Sequence, residues 1–195
     1  REEYYFTDGR VLVIGNQHSV AEGKKADYLL YHKGKPIAVV EAKDNKHAVG
    51  GGIQQAMDYA QILDLKFAYS SNGDAFLEHD FITGKETEIK LEEFPTEEEL
   101  YNRYLASKSY TSEELNIIET PFYYDAHSHE PRYYQRIAVD RTVEAIARGQ
   151  QRVLVVMATG TGKTFTAFQI IHRLHKSGSK KKILYLACLL YTSPS

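Results

Sequence analysis

The sequence predicts a mixed α/β fold: a sheet of several strands with flanking helices, followed by a second α/β segment. Three observations carry this. β-branched and aromatic runs over residues 11–14, 27–31 and 37–41 are separated by turn-forming residues, as short strands require. Ile53, Ala56, Met57, Ala60 and Leu63 recur at the spacing of one helix face. Residues 151–187 read as strand, Gly/Thr-rich loop, helix and strand, one β-loop-α-β unit. At 195 residues the chain has room for one large domain, or for one domain and part of another.

Each element has a local reason. His32-Lys33-Gly34-Lys35-Pro36 separates the second and third strands and predicts an antiparallel hairpin. Residues 37–40 are apolar at every position, which fits a strand buried on both faces. Gly50-Gly51-Gly52 is poor helix interior and is expected as a flexible entrance to a helix over residues 53–65. A strand over residues 66–70 follows, then the turn Ser71-Asn72-Gly73-Asp74, then a hairpin over residues 75–89 with Gly84 at its tip. Thr96 as N-cap, with Glu97, Glu98 and Glu99 in the first turn, predicts a helix over residues 95–104. Residues 107–131 are rich in Ser, Thr, Glu and His, with prolines at 121 and 131, and read as a connector. A helix over residues 131–148 ends at Gly149, a strand covers residues 151–157, a helix covers residues 164–176, and a strand covers residues 182–187. The expected organisation is a first domain at residues 1–106, a connector at 107–130 and a second domain at 131–195.

Composition narrows the function classes. A net charge of −2 excludes a uniformly basic nucleic-acid binder, though not a local basic cleft. The single cysteine, Cys188, cannot form an internal disulfide or a cysteine-based zinc site. No apolar run approaches the roughly 18 residues that span a bilayer. Arg1-Glu2-Glu3 has no apolar signal core and no starting methionine, which leads us to expect an internal piece of a longer chain. His127 and His129 fit a polar connector, His172 and His175 lack a third ligand, and Lys180-Lys181-Lys182 fits a solvated turn.

Asp27 opens one strand and Glu41-Ala42-Lys43 closes the next, with thirteen residues between the two acids. Pairing of these strands brings both acids to one end of the sheet. Glu41 and Lys43 are two apart and share a strand face. Two carboxylates and a lysine suit phosphodiester hydrolysis: the carboxylates hold Mg²⁺ through hard oxygen ligands, the ion polarises the phosphate and lowers the pKa of a bound water, and the lysine stabilises growing negative charge. The plainer reading makes Asp27 a turn cap and Glu41 with Lys43 a surface ion pair. The buried run directly before Glu41 favours the site.

These residues resemble the core of the PD-(D/E)xK nucleases, with Ala26 where the motif's name puts proline. Gln55-Ala56-Met57-Asp58-Tyr59 resembles the Gln-x-x-x-Tyr element of the RecB-like branch, and its spacing puts Gln55 and Tyr59 on one helix face beside the apolar stripe. The resemblance implies a restriction-endonuclease-like mixed sheet with flanking helices. It implies catalytic roles for Asp27, Glu41, Lys43, Gln55 and Tyr59, with Asp27 and Glu41 as metal ligands. The family core begins with a helix, often carrying a further acid; only about ten residues precede Val11, so that helix is expected to be missing.

Met157-Ala158-Thr159-Gly160-Thr161-Gly162-Lys163-Thr164 resembles the P-loop, with Met157 in place of the usual first glycine, a relaxation common in superfamily 2 helicases and translocases. Gly160, Thr161 and Gly162 would turn backbone N–H groups toward a phosphate at a helix N-terminus. Lys163 would reach the β- and γ-phosphates of ATP, and Thr164 would bind its Mg²⁺. Gln135, in Pro131-Arg132-Tyr133-Tyr134-Gln135, resembles the adenine-sensing glutamine of the same motors. This second resemblance implies an incomplete P-loop RecA-like α/β lobe.

A nuclease followed by such a motor resembles the motor and cleavage subunit of type I restriction enzymes, over nearly all of residues 10–187. The resemblance implies a Mg²⁺-dependent DNA endonuclease coupled to an ATP-driven translocase on double-stranded DNA. It also implies assembly with methylation and specificity subunits in the cytoplasm, and no membrane partner. Residues after Ala187 depart from the pattern and no acidic Walker B element follows, so ATP turnover is not expected of this chain alone. A DNA-binding module that does not cut, and a repair helicase-nuclease outside restriction, stay open as alternatives.

Overall fold

A computed structural model describes residues 2–6, 11–14, 17–20, 23–125 and 130–187, the segments 11–14 and 17–20 as backbone. The chain divides into two units, Arg1–Tyr110 and Thr111–Ser195. The first is built on strands β1 (Glu2–Phe6), β4 (Lys24–His32), β5 (Lys35–Ala42), β6 (Phe67–Ser71), β7 (Ala75–Asp80) and β8 (Lys85–Lys90). They form one six-stranded mixed sheet in the order β1-β4-β5-β6-β7-β8. β2 (Val11–Ile14) and β3 (Gln17–Val20) pair separately as a two-stranded antiparallel sheet.

Among the described residues only β5 and β6 run parallel; every other neighbouring pair is antiparallel. Parallel neighbours need a crossover, and helix α1 (Ile53–Leu63) supplies it. The β4–β5 hairpin forms as its turn residues dictate. Lys33 and Gly34 both hold positive φ, 46° and 79°, the combination that matches the twist of a two-residue hairpin. Residues 37–40 are buried on both faces: Ala38 and Val39 are inaccessible and Ile37 and Val40 nearly so. Successive residues of β5 face opposite ways. Val40 joins Tyr69, Leu100 and Tyr101 in the core under helix α2 (Glu97–Lys108), while Glu41 looks the other way, toward the start of α1. α2 starts with a full capping box between Thr96 and Glu99.

A buried polar network stiffens the far half of the sheet. Arg103 of α2 donates to both Glu78 oxygens, at 2.9 and 2.7 Å, and to Asp80 Oδ2 at 2.9 Å. The Tyr69 hydroxyl donates to Glu78 as well, and the Arg103 guanidinium lies 4.6 Å over the Phe67 ring. Backbone and Arg103 hydrogen bonds hold Asp80 below the usual carboxylate range despite its burial.

Several elements differ from the sequence expectation. β1 and β3 were not foreseen; both are short and lack a β-branched run, and β1 gains its definition from pairing with β4. Residues 49–52 form a 3₁₀ turn rather than a flexible entrance, and α1 stops at Leu63 because Asp64 turns left-handed at φ 57°. α2 runs on to Lys108. Residues 107–130, expected as a connector, contain helix α3 (Ser112–Glu119), opened by a second capping box between Thr111 and Glu114. His127, His129 and the tail from Cys188 onward lie outside the described residues.

The second unit holds α3, α4 (Tyr133–Ala147) and α5 (Lys163–Lys176). Phe122, Val139 and Val143 form its core, with Ile117 and Ile170 against them. The fully buried Arg173 of α5 ties the helices together: it pairs with Asp140 of α4 and donates to the Ile118 carbonyl of α3. Residues 151–157 and 182–187, expected as strands, are extended but unpaired among the described residues. Their exposure alternates with a period of two, Val153 41%, Leu154 88%, Val155 38% and Val156 85%. The period is that of a strand, but a ladder also needs a hydrogen-bonded neighbour. Among the described residues no helix is long and apolar enough to cross a membrane.

Removing Arg103 leaves two buried carboxylates without their cation. Arg103→Ala is expected to lower stability by about 3 kcal/mol, measured by urea unfolding, because an uncompensated buried charge is costly.

Candidate functional site

The β4–β5 register pairs Tyr28 with Val40 and Leu29 with Val39, so one further step sets Asp27 opposite Glu41. The Ala42 amide donates to Asp27 Oδ2 at 2.9 Å, which fixes the aspartate at the strand end. Lys43 Nζ lies 3.6 Å from Glu41 Oε2 on the same side of the strand. The same ammonium donates to Gln55 Oε1 at 3.1 Å, and Gln55 Nε2 donates to the Tyr59 hydroxyl at 3.0 Å. The edge of Tyr59 meets the buried ring of Phe6 with centroids 5.2 Å apart at 90°. The structure therefore joins Glu41, Lys43, Gln55 and Tyr59 in one connected chain, with Asp27 beside it.

Glu41 is not a surface ion-pair partner. Its side chain is 1% exposed, and Oε1 has no hydrogen-bond partner. Burial first, and the Asp27 charge second, push its carboxyl up to about 7 against the opposing charge of Lys43. An orphaned, buried carboxylate oxygen beside a second carboxylate is an environment that a divalent cation would relieve. Among the described residues no group of three or more His, Cys, Asp or Glu side chains converges on a metal site. Two carboxylates fit an ion such as Mg²⁺, which keeps several waters and takes the rest of its shell from substrate oxygens.

In the second unit, Gly160 and Gly162 hold φ of 80° and 85°, so the loop turns as glycine permits, and Gly162 caps α5. A Cβ on Gly162 would fall 2.4 Å from Gln135 Nε2. Gln135 is nearly buried and both ends of its amide are engaged: Oε1 accepts from Arg132 N at 2.9 Å and Nε2 donates to Thr161 O at 2.8 Å. Gln135 thus braces the loop from α4. Lys163 folds back over its own loop, donating to Ala158 O at 3.1 Å and Met157 O at 3.5 Å, while Thr164 is exposed at the first turn of α5.

Each unit of the chain matches a family model. Residues 5–89 match the family model described as the second domain of the type I restriction enzyme EcoKI endonuclease subunit. Residues 128–188 match that of the type III restriction enzyme res subunit. The type I restriction enzyme EcoAI endonuclease subunit of Escherichia coli is 47% identical over 192 residues, 96% of this chain and 24% of that protein. Over nearly its whole length the chain is similar to part of a type I restriction endonuclease subunit. The EcoKI endonuclease subunit of Escherichia coli strain K12 is 29% identical, over 83% of this chain and 17% of that protein. A solved structure described as a fragment of an HsdR subunit of a type I restriction enzyme from Vibrio vulnificus YJ016 superposes with a TM-score of 0.76 at 48% identity, over 91% of this chain and 33% of that one. The chain thus spans about a quarter of the length of the EcoAI subunit.

Two residues at the site went unread in the sequence. Ser70 of β6 is inaccessible and pairs in register with Glu41. Its hydroxyl accepts from the Gly52 amide at 3.0 Å. The available signals were a serine directly after the apolar run Phe67-Ala68-Tyr69 and a glycine whose need was close approach rather than flexibility.

Glu41 makes stability depend on pH. Its folded pKa of about 7 lies above its ordinary value of 4.5, so the folded chain keeps a proton that the unfolded chain releases. Metal-free stability is expected to fall as pH rises from 4.5 to about 7, by at most about 3 kcal/mol, and to level off above that range. Glu41→Gln should flatten this slope and raise Tm by several degrees at pH 7.5 in chelator. Thermal unfolding across that pH range checks both.

Proposed function

We propose that the chain carries the nuclease site and the first part of the ATP-binding motor of a type I restriction endonuclease. The observation that carries the reading is the buried Glu41 carboxylate, with its unpartnered oxygen beside Asp27 and the Gln55-held Lys43. Asp27 and Glu41 would hold Mg²⁺, which when bound supplies a Lewis acid for the phosphate and a more acidic water. Lys43 supplies fixed positive charge for the negative charge that grows on the phosphate. Gln55 keeps its amide oxygen on the ammonium, and Tyr59 keeps the Gln55 amide turned that way. The substrate is double-stranded DNA.

In the second unit, Gly160, Thr161 and Gly162 would cradle the phosphates of ATP, Lys163 would swing from the Ala158 carbonyl to meet them, and Thr164 would share the nucleotide's Mg²⁺. Gln135 holds the loop and would keep one donor and one acceptor free for the adenine edge. The full-length protein would couple ATP-driven movement along DNA to cutting, in a complex with methylation and specificity subunits.

In that full-length protein, Asp27→Ala and Glu41→Ala are expected to abolish Mg²⁺-dependent DNA cleavage and leave DNA-stimulated ATP hydrolysis unchanged. Lys43→Ala should slow cleavage by roughly 100- to 1,000-fold, the range for removing one fixed stabilising charge or donor. Undiminished cutting by both acid variants would instead favour a nuclease fold kept for docking. Lys163→Ala is expected to stop ATP hydrolysis, and with it any cutting that depends on translocation, although the nuclease residues are untouched. Parallel assays of phosphate release and plasmid linearisation separate these outcomes.

A further inference from the structure

α1 begins without a side-chain cap of its own: its N-cap residue is Gly52, and the first-turn N–H groups of a helix need partners from elsewhere. The Gly52 amide finds Ser70 Oγ, on the strand that runs parallel beside Glu41. The contact is close on every side. A Cβ at Gly52 would lie 3.1 Å from Glu41 Cβ, 3.1 Å from Lys43 Cε and 3.1 Å from Ser70 Oγ. The start of α1 is therefore pressed against the two side chains of the nuclease motif, and no residue larger than glycine fits without moving them. Three residues further on, Gln55 reaches Lys43 Nζ, and one turn later Tyr59 reaches Gln55. Ser70 touches neither the ammonium nor the free Glu41 oxygen at hydrogen-bond distance; its effect on them passes through Gly52.

We infer that Ser70 and Gly52 are positioning residues for the nuclease reaction: their hydrogen bond seats the start of α1 so that Gln55 holds the Lys43 ammonium over the carboxylate pair. The inference rests on the nuclease reading above. A serine is required because the position must be small, buried and able to accept a hydrogen bond. A glycine is required because its missing side chain is the space in which Glu41 and Lys43 stand.

The test uses the full-length protein, with cleavage under single-turnover conditions and ATP hydrolysis measured beside it. Glu41→Ala serves as the control for the nuclease reading. If that variant cuts, the reading itself fails, whatever Ser70 does. If it does not, Ser70→Ala is expected to cut roughly 10- to 100-fold more slowly, as displacement of a reacting group by about 1 Å would give, with ATP hydrolysis unchanged. Ser70→Thr keeps the acceptor and should retain more activity than Ser70→Ala. The decisive readout is the pair Ser70→Ala with Gln55→Ala. If Ser70 acts through Gln55, the double variant cuts no more slowly than Gln55→Ala alone. Wild-type cleavage by Ser70→Ala would overturn the inference, as would a double variant whose loss is the product of the two single losses. Should Ser70→Ala fail to fold, Ser70→Cys, whose sulfur is only a weak acceptor, with and without Gln55→Ala provides the same comparison.

Discussion

A carboxylate cannot stay charged and unpaired inside a protein without heavy cost, so it takes up a proton, a cation or a metal ion. Glu41 is under that constraint. It is the last of five successive buried residues of β5, is itself almost inaccessible, and has one oxygen without a partner. The surroundings of Glu41 follow from this. Asp27 stands across the hairpin and is pinned by the Ala42 amide, Lys43 supplies an opposing positive charge, and Gln55 keeps that lysine from swinging into solvent. The result is a carboxyl poised near neutral pH at the end of a rigid sheet, a state suited to exchanging a proton for a divalent cation.

The rigidity has sources on both faces. Under α2, Arg103 gathers Glu78 and Asp80, and the aromatic rings of Phe67 and Tyr69 fill the space around them. On the other face, the Gly52–Ser70 contact brings the crossover helix down onto the site. The second unit solves its own problem with buried polar side chains as well. Gln169 donates to and accepts from the Tyr123 backbone, at 3.1 and 2.9 Å, and Arg136 and Arg173 lie 5.3 and 5.1 Å from the Phe122 ring centroid. Gln169 and Arg173 hold the segment before α4 to the helix that carries Lys163 and Thr164, and Arg136 holds it to α4.

What could be read from the sequence depended on how local its cause was. The β4–β5 hairpin was legible because Lys33-Gly34 is a turn by its own chemistry, and α1 because its apolar spacing is regular. The acid pair and Lys43 were legible because strand geometry alone brings residues two apart to one face. α3 was missed although Thr111 and Glu114 form a capping box, since the serine- and proline-rich surroundings masked an eight-residue helix. The paired state of residues 151–157 and 182–187 was misjudged because a run of β-prone residues favours an extended chain, while pairing depends on a neighbour distant in sequence. Ser70 and Gly52 belong to the same class: their contact joins β6 to the start of α1 across 18 positions.

The most direct test of the account is whether Glu41 trades a proton for a metal ion. Calorimetric titration with Mg²⁺ or Mn²⁺ in buffers of different ionisation enthalpy counts the protons released per ion bound. A carboxyl poised near 7 predicts release approaching one proton at about pH 6, fading to none above about pH 8, and absent in Glu41→Gln. Metal binding that releases no proton across this range, or that releases the same number in Glu41→Gln, would contradict the account.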